Sequence, residues 1–400
     1  MDCWPESKLG DFLEIKHGYA FQGEYFSNVG THIVLTPGNF YDDGGFKHKT
    51  DKEKWYTGPI PSDYVLKEGD LIIAMTEQAE GLLGSSALIP RSGIYLHNQR
   101  LGLVQIRDEN KADKQFLYYL FNSKSVRQQI RASASGTKVR HTAPARIADV
   151  NVSIPPLPLQ RRIAGILSAY DDLIENSQQR IKILEEIARS LYREWFVNFR
   201  FPGNEKVPLV DSPLGSIPKG WEVKTVEEIV KRIPVGKKYD QKTVSSTGAV
   251  PVFDQGKTGI IGYHDDEPGV EASESTPVIV FANHTCYQRL IHFPFSAIQN
   301  VLPFVPIPSL PRNIYWLHWA TNGLVVFNDY KGHWPEFTAK ILVVPAAEVC
   351  QRFGDFAAPL SRQILNLERA VENLRQTRDL LLPRLLGGYL SLEIGDLVNG

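Results

Sequence analysis

The chain is poor in cysteine, in long apolar runs and in excess charge of either sign. Its three cysteines, Cys3, Cys286 and Cys350, lie far apart and form no C-x-x-C pair. This argues against a disulfide framework or a zinc knuckle and favours a reducing compartment. No stretch approaches the roughly 18 consecutive apolar residues of a membrane span, and the N-terminus lacks the pattern of a secretory signal peptide. We therefore expect a cytoplasmic protein with no membrane partner.

The balance of charge limits the possible functions further. The sequence has 44 Lys and Arg against 45 Asp and Glu, a net charge of −1, whereas a histone-like nucleic-acid binder would be strongly basic. Any contact with DNA must therefore come from local basic patches. The apolar content of 42% is near the globular average. A length of 400 residues is enough for two or three domains, each with its own core.

Motifs for catalysis and cofactor binding are also missing. Gly256-Lys257-Thr258 resembles the end of a phosphate-binding loop, but position 251 is proline where that motif needs glycine. There is no Asn-Pro-Pro-aromatic tetrapeptide of an adenine methyltransferase, no Gly-rich cofactor loop, and no metal-ligand spacing among the ten histidines. The acidic pairs Asp171-Asp172 and Glu185-Glu186 are interpreted as solvated or partner-facing helix charges. We predict a non-catalytic protein that binds no cofactor or metal.

Two long heptad patterns dominate the rest of the sequence. In each, apolar residues recur at alternating steps of four and three, from Ile163 to Trp195 and from Leu360 to Leu385. This spacing predicts a coiled-coil seam on a long helix. Each seam contains one polar residue, Ser177 in the first and Arg378 in the second. Polar seam positions can fix the register of packed helices at some cost in stability.

The two heptad patterns are repeats of each other. An offset of 190 residues, which separates Pro155 from Pro345, aligns Arg162 with Arg352 in the same heptad phase. The segments before each helix also match, more loosely: 70–75 with 277–282, 97–104 with 298–305, and 116–120 with 315–319. The sequence therefore predicts an internal duplication in the order head, helix, head, helix.

Each head has the pattern of a mixed α/β fold with a β-rich core. Short β-branched runs alternate with Gly, Pro, Asn and Asp turns, and we expect strands at 33–35, 70–75, 101–106, 251–253, 277–281 and 341–344. Short helices are expected near 114–122 and 125–132. The Pro- and Gly-rich stretch 200–220 is interpreted as a linker. The predicted organisation is head one at 1–155, a central spacer helix at 156–200, the linker and head two at 201–345, a C-terminal spacer helix at 346–390, and a tail at 391–400.

Burial of the two seams suggests how the parts are arranged. The helices most simply pack on each other antiparallel, which would place the heads at opposite ends of a rigid spacer with approximate twofold symmetry. A helix from about 160 to 199 would be roughly 60 Å long at 1.5 Å per residue, longer than one turn of B-DNA at about 34–36 Å. Such a spacer suits recognition of two half-sites, and equally a scaffold that separates two protein-binding modules.

Several segments resemble the specificity subunit of type I restriction–modification systems. They include Ser135-Gly136-Thr137 with the residues up to 141, and the segments 8–12, 18–21, 69–76, 151–164 and 191–203. The likeness extends over the whole chain because the tandem head–helix order is typical of that family. The second half departs from it, since Asp329–Trp334 replaces the Ser-Gly-Thr tract and the second helix lacks a Pro-Pro-Leu-Pro start.

The resemblance implies a function and a set of partners. Each head would be a target recognition domain that recognises one half of a bipartite site in double-stranded DNA. The helices would dock methyltransferase (modification) subunits, expected in two copies, which methylate adenine using S-adenosylmethionine. Restriction (motor-nuclease) subunits would join for cleavage, and the specificity subunit itself would have no catalytic site. The alternative is a coiled-coil adaptor with two protein-binding heads.

Basic residues supply the candidate phosphate contacts, because Lys and Arg release counterions from DNA. The run 124–146 in head one contains no Asp or Glu, and its cations are Lys124, Arg127, Arg131, Lys138, Arg140 and Arg146. The turn at Gly136-Thr137-Lys138 could also bring backbone N–H groups to the DNA. The basic region of head two is diluted by Asp240 and Asp254, and its cations are Lys231, Arg232, Lys237, Lys238, Lys242 and Lys257.

Base recognition needs side chains with paired donors or acceptors in loops beside strands. The candidates in head one are Lys47, His48, Lys49, Thr76 and Gln78, and those in head two are His284, Tyr287, Gln288, Arg289 and Lys331. Any polar loop residue would fit this description equally well. The aromatic residues Trp195, Phe196 and Phe199 at the end of the first long helix are candidates for a partner-docking face, with burial in a core as the alternative.

Overall fold

The computed structural model describes residues 4–49, 52–78, 80–256, 259–310, 312–329 and 331–388. The chain divides into two compact units. Unit 1 comprises residues 1–175 and 372–400, and unit 2 comprises residues 176–371. Each unit therefore contains one head together with a part of each long helix. No helix in the described ranges is both long and apolar enough to span a membrane.

Head one in unit 1 is built from short strands and three short helices. The helices are α1 Lys114–Asn122, α2 Lys124–Ala132 and α3 Pro144–Ala148. The strands are β1 Glu6–Lys8, β2 Leu13–His17, β3 Phe26–Ser27, β4 His32–Val34, β5 Trp55–Tyr56, β6 Leu71–Ala74, β7 Thr76–Glu77, β8 Ser86–Leu88, β9 Tyr95–Leu96, β10 Leu101–Ile106, β11 Arg140–His141 and β12 Asn151–Ser153. The predicted strands at 33–35, 70–75 and 101–106 and both predicted short helices are confirmed.

Two four-stranded sheets form the centre of head one. The first is antiparallel in the order β2-β10-β6-β8, and the second has the order β3-β5-β4-β9 with β4 and β9 parallel. Every residue of β6 is buried, as expected for an uninterrupted apolar run in a strand covered on both faces. A separate pair, β1 with β12, joins the beginning of the head to its end.

The long helices complete the core of unit 1. They are α4 Leu157–Tyr192 and α7 Ala347–Leu386. Within unit 1 the beginning of α4 runs antiparallel to the end of α7, because Ile163 and Leu167 share the core with Leu385 while Asp171 pairs with Arg378. This confirms both predicted long helices. It also shows that the polar seam residue Arg378 pairs with Asp171 on the other helix as well as with its own neighbour Asp379.

Asp171 is not a solvated charge as its sequence context suggested. One of its carboxylate oxygens accepts a hydrogen bond from Arg378 Nη1 at 2.6 Å, and the other accepts one from the Tyr119 hydroxyl at 2.6 Å. Burial, followed by the Asp171 charge, raises the pKa of Tyr119, so the hydroxyl keeps its proton. Its neighbour Asp172 is exposed, as predicted. The difference arises because only Asp171 faces α1 and α7.

Head two in unit 2 begins with a hairpin and continues as a second mixed α/β module. Its strands are β13 Leu209–Ser212, β14 Gly215–Pro218, β15 Glu222–Thr225, β16 Val230–Arg232, β17 Lys238–Tyr239, β18 Val250–Phe253, β19 Ile260–His264, β20 Val278–Ala282, β21 Gln288–Ile291, β22 Ser296–Ile298, β23 Val301–Pro306 and β24 Ile341–Val344. Its helices are α5 Ile314–Thr321 and α6 Trp334–Ala339. The predicted strands at 251–253, 277–281 and 341–344 are confirmed.

The topology of head two repeats that of head one. The antiparallel sheet β16-β23-β20-β21 corresponds to β2-β10-β6-β8, and the pair β15–β24 corresponds to β1–β12. In the remaining sheet, β17-β22-β18-β19, β18 and β22 are parallel, like β4 and β9. The segments aligned by sequence fall on equivalent elements: β6 with β20, β10 with β23, and α1 with α5. The internal duplication is therefore present in the fold.

The stretch interpreted as a linker has defined structure of its own. Strands β13 and β14 form a hairpin, in which Gly215 adopts a positive φ of 94° that suits glycine. Phe201 is buried and stacks on Trp221 with ring centroids 5.2 Å apart. The proline and glycine residues here mark tight turns of unit 2 rather than an unstructured connection.

The end of α4 corrects the prediction of an aromatic docking face. The helix finishes in a π-helical turn at Arg193–Val197, and the side chains of Trp195 and Phe196 are each 5% exposed. Their rings lie 6.0 Å and 5.1 Å from that of Phe353, which belongs to the beginning of α7. Phe199 is half-buried, 5.5 Å from the Trp221 ring. Trp195 and Phe196 are therefore core residues of unit 2, because α7 covers them.

Candidate nucleic-acid interface

Three loops of head one lie side by side where β4, β6 and α2 end. They are residues 41–49, residues 75–78 with 80–84, and the segment 133–142, and we call them the head-one loop face. Arg127 of α2 holds two of them together. Its Nε donates to the Leu83 carbonyl at 3.0 Å, its Nη1 to the Asp42 carbonyl at 2.9 Å, and its Nη2 to the Gly81 carbonyl.

Arg127 itself must be removed from the candidate DNA contacts. Its side chain is buried, and burial lowers its pKa to about 10. A buried guanidinium whose three nitrogens each donate to a backbone carbonyl is not placed to reach a phosphate. The sequence showed a cation in an acid-free run, but the carbonyls that satisfy it come from residues 44 to 85 positions away.

The third loop is a hairpin that projects Thr137, Lys138 and Val139 into solvent. Ser135 and His141 close it with backbone hydrogen bonds of 3.0 and 2.9 Å, and β11 pairs with β7 at its base. Gly136 has a φ of 98°, and a Cβ there would lie 2.1 Å from the Val139 carbonyl oxygen. The Ser-Gly-Thr tract therefore needs its glycine to form this tip.

The other cations of the run 124–146 have different surroundings. Lys124 is exposed at the first turn of α2. Arg140 is half-buried, since its Nη2 donates to the Arg131 carbonyl at 2.8 Å and its Nη1 lies 3.9 Å from Glu77 Oε1. Arg146 is exposed but donates to the Ser133 carbonyl and so supports the hairpin. Of the whole run, the Lys138 side chain is the one carried on the projecting tip.

The remaining head-one candidates separate into surface and internal residues. Gln78 is exposed directly after β7, and Thr76 within β7 is half-buried. Lys47 is exposed, with its Nζ 5.5 Å from the Tyr41 ring centre, and His48 is exposed beside Phe46.

Lys49, by contrast, points into the head and cannot serve as predicted. Its Nζ donates to Thr36 Oγ1 at 2.8 Å and its backbone N–H donates to Glu53 Oε1 at 2.7 Å. Burial lowers the pKa of the Lys49 amine. Lys47 and His48, which precede Lys49, are surface residues, so only the fold distinguishes Lys49 from them.

Head two brings together three loops at the corresponding places, after β18, after β20 and before α6. We call residues 254–256, 283–287 and 331–333 the head-two loop face. Gln255 joins the first two, because its side-chain oxygen accepts the His284 N–H at 2.8 Å and its carbonyl accepts the Thr285 hydroxyl. The third is joined by His333 N–H, which donates to the Asn283 carbonyl at 2.9 Å, and by the His284 ring, which bonds the Lys331 carbonyl at 3.1 Å.

Of the residues predicted in head two, Lys331 belongs to this face and Arg289 lies beside it, whereas Gln288 is internal. Lys331 is exposed, and the Arg289 guanidinium lies 5.0 Å and 5.8 Å from the ring centres of Tyr287 and Phe253. Gln288 is buried, with its amide nitrogen donating to the His318 carbonyl at 2.8 Å and its oxygen accepting from Thr321 at 3.0 Å. Its hydrogen-bonding groups are used inside unit 2, so it is withdrawn as a base-contacting candidate.

The basic region of head two lies mainly on strands. Lys238 is exposed on β17 and is level with Phe253, since both pair with Ala297 of β22. Lys237 is exposed and forms a 2.6 Å ion pair with Asp266, which offsets its charge. Lys231 and Arg232 are exposed on β16, and Lys242 is exposed after β17. Lys257 lies outside the described residues.

Sequence reasoning missed the residues that hold the loops in place. Glu77 bonds backbone groups of its own loop, and Gln255 bonds those of a neighbouring loop. Glu77 did have a local signal, because it is a carboxylate three residues after a strongly apolar strand. Within the described ranges, no group of three or more His, Cys, Asp or Glu side chains could hold a metal ion.

Comparison with known proteins finds one family that the chain resembles. The family described as "Type I restriction modification DNA specificity domain" matches residues 1–186. The chain is 26% identical over 307 residues to the type I restriction enzyme MjaIX specificity subunit of Methanocaldococcus jannaschii, covering 70% of this chain and 69% of that one. It is 25% identical over 188 residues to the Escherichia coli EcoBI specificity subunit, covering 47% and 36% of the two chains.

A solved structure supports the fold of the whole chain. The crystal structure of a type I restriction–modification S subunit from M. genitalium superimposes with a TM-score of 0.60 at 15% identity, over 96% of both chains. Members of this family are non-catalytic DNA-recognition subunits, which bind DNA and assemble with the other subunits of the complex. The chain thus resembles type I restriction–modification specificity subunits, in sequence with the family match over residues 1–186 and in fold over 96% of its length.

Proposed function

We propose that this chain recognises a bipartite DNA sequence, one half with each loop face, and that its long helices dock the modification subunits. The observation that carries this proposal is the duplication of the loop face. In both heads the loops that follow equivalent strands of equivalent sheets converge, although their sequences and the groups that join them differ. Two similar frames with different loops suit two different half-sites.

In and beside each loop face, some candidate side chains would contact phosphates and others would contact bases. Lys47, Lys138, Lys238 and Lys331 are exposed amines suited to phosphates, which position a protein on the duplex without reporting sequence. Gln78 offers the donor–acceptor pair that matches adenine, and Arg289 the fork that matches guanine. Tyr287 and Phe253 beside Arg289 favour a fixed orientation of its guanidinium. Thr76, Thr137, His48 and His284 complete the set.

Because Trp195 and Phe196 are buried, we infer that the modification subunits dock on the outer face of α4 instead. Ile183 and Ile187 are 54% and 48% exposed and lie one helical turn apart. They fall outside the heptad seam, so the packing of α4 leaves them uncovered. Exposed apolar pairs of this kind mark protein interfaces. Two modification subunits would dock, bind S-adenosylmethionine and methylate adenine, and restriction subunits would join for cleavage.

The domain organisation that follows from this function keeps the boundaries expected from the sequence. Residues 1–155 form the first target recognition domain and 201–345 the second, with spacer helices at 156–200 and 346–390. The bounds of α4 and α7 and the repeated sheets support this division.

Selection of DNA from a random pool tests the proposed function. The full-length chain, assembled with modification subunits from its host, is incubated with randomised duplexes, and bound DNA is sequenced. We expect two enriched blocks separated by a spacer without sequence preference. Enrichment of a single block would contradict the two-reader proposal. No enrichment at low salt would favour the adaptor with two protein-binding heads.

Lys138 gives a prediction about the hairpin tip. Lys138→Glu is expected to weaken binding to all duplexes alike and to lower the slope of log K against log salt by about one counterion. The slope is measured by titrating a labelled duplex at several salt concentrations. Lys67→Glu is the matched control, because Lys67 is an exposed lysine at the opposite end of β6. An equal slope in both variants and the wild type would exclude Lys138 from the phosphate contacts.

A further inference from the structure

Glu77 is a buried carboxylate directly beneath the head-one loop face. It is 3% exposed. Its Oε2 accepts the backbone N–H of Gly81 at 3.2 Å and that of Leu83 at 2.8 Å. Its Oε1 has no hydrogen-bond partner among the described residues and lies 3.9 Å from Arg140 Nη1. Burying a carboxylate costs free energy unless it is paired. The two backbone N–H groups and the nearby Arg140 guanidinium therefore offset the burial of Glu77.

Glu77 and Arg127 bond opposite ends of the same two residues' backbone, one at the N–H groups and the other at the carbonyls. Glu77 accepts from the N–H groups of Gly81 and Leu83, and Arg127 donates to the carbonyls of the same two residues. The loop that begins with Gln78 is therefore fixed at both its donors and its acceptors.

Glu77 also lies at the base of the hairpin that carries Lys138. It is the register partner of Arg140 in the β7–β11 pair, and the Arg140 guanidinium lies between the Glu77 carboxylate and the Arg131 carbonyl. Near the same base, Arg131 Nε and Thr142 Oγ1 are also buried with no hydrogen-bond partner in the part of the chain that the structure describes. The hairpin base is thus a polar layer whose charge balance depends on Glu77.

We propose that Glu77 is a positioning residue for DNA recognition by head one: it sets the loop bearing Gln78 and the hairpin bearing Lys138 without touching DNA. This inference rests on the proposed function, because it assumes that the head-one loop face contacts the duplex. Head two uses a neutral amide instead, because Gln255, which follows β18, joins two loops of the head-two loop face. The two halves of the target therefore depend on different residues.

The test uses the random-pool selection with the full chain and its modification subunits. Glu77→Gln is expected to erase the sequence preference of one block and leave the other intact. The ratio of affinities for the selected duplex and for a duplex scrambled in that block should fall by at least about tenfold and approach one, because recognition of the whole block is lost. Binding to a fully scrambled duplex should fall by less than it does in Lys138→Glu, because the Lys138 charge is kept.

A control separates positioning from simple loss of stability. Asp113→Ala removes the N-cap of α1, where the Asp113 carboxylate accepts the Phe116 N–H at 2.8 Å, and so destabilises head one away from the loop face. We expect it to lower the urea midpoint while keeping both blocks. If both variants erase the block equally, Glu77 has only a structural role and the inference is wrong.

A second variant keeps the inference testable if Glu77→Gln does not fold. Arg140→Gln changes the same contact from its half-exposed side and should erase the same block. If both blocks persist in whichever of these variants folds, the inference fails while the proposed function stands. If the wild type itself selects no pair of blocks, the proposed function has failed instead.

Discussion

Replacement of Trp195 by alanine is expected to lower the free energy of unfolding of unit 2 by about 4 kcal/mol, the usual cost of truncating a buried tryptophan. Trp195 contacts Phe353 with ring centroids 6.0 Å apart and Phe356 at 5.8 Å. The loss would leave a cavity where the end of α4 meets the beginning of α7, and these aromatic side chains cannot collapse to fill it.

The matched control for Trp195 is its exposed neighbour Val197. Val197 belongs to the same π-helical turn and is exposed, so Val197→Ala should change the stability by less than about 0.5 kcal/mol. Urea unfolding, followed by tryptophan fluorescence and circular dichroism, measures both. If Trp195→Ala kept the wild-type midpoint and lost only the binding of modification subunits, the docking-face interpretation of Trp195 would be correct after all.

Replacement of Asp171 by alanine is expected to destabilise unit 1 by about 3 kcal/mol. The change removes the partner of Arg378 Nη1 and of the Tyr119 hydroxyl, both at 2.6 Å. The side chains of Arg378 and Asp171 are only 24% and 29% exposed, so water replaces the lost contacts incompletely. Tyr119 is buried and would keep a hydroxyl without an acceptor.

Asp172 provides the matched control for this second prediction. It is an adjacent but exposed carboxylate on the same helix, and Asp172→Ala should be nearly neutral. The double variant Asp171→Leu with Arg378→Met should recover part of the lost stability, because apolar residues can replace a partly buried ion pair. Equal urea midpoints for Asp171→Ala and Asp172→Ala would show that the Arg378 pair contributes no stability.

The polar seam residue Arg378 shows how sequence and structure contribute to the same feature. The heptad pattern placed one charged residue in an otherwise apolar seam, and this predicts a register-fixing role. The partner, however, could not be found by periodicity, because Asp171 lies 207 positions away and the hydroxyl that completes the network belongs to α1. The heptad pattern thus identified the position of Arg378, and only the packing of the helices showed that Asp171 is its partner across the seam.

The loop faces were only partly predictable for a similar reason. Gly136 indicates a tight turn by itself, so Lys138 could be placed on a tip from local sequence. Arg127, Lys49 and Gln288 have the same composition signals as surface residues, yet each donates to groups far away in the chain. A polar side chain becomes internal when distant backbone groups satisfy it, and no local pattern records that.

The amino-acid sequence by itself determined the two long helices, six strands of the two heads and the duplication at an offset of 190 residues. These follow from hydrophobic periodicity and turn residues, which act over a few positions and repeat along the chain. Only the tertiary structure decided which charges face solvent, that Trp195 and Phe196 lie in a core, and that Glu77 supports the head-one loop face. Those outcomes depend on burial and on hydrogen bonds between segments far apart in sequence, and burial decides whether a charged group binds a partner or holds the protein together.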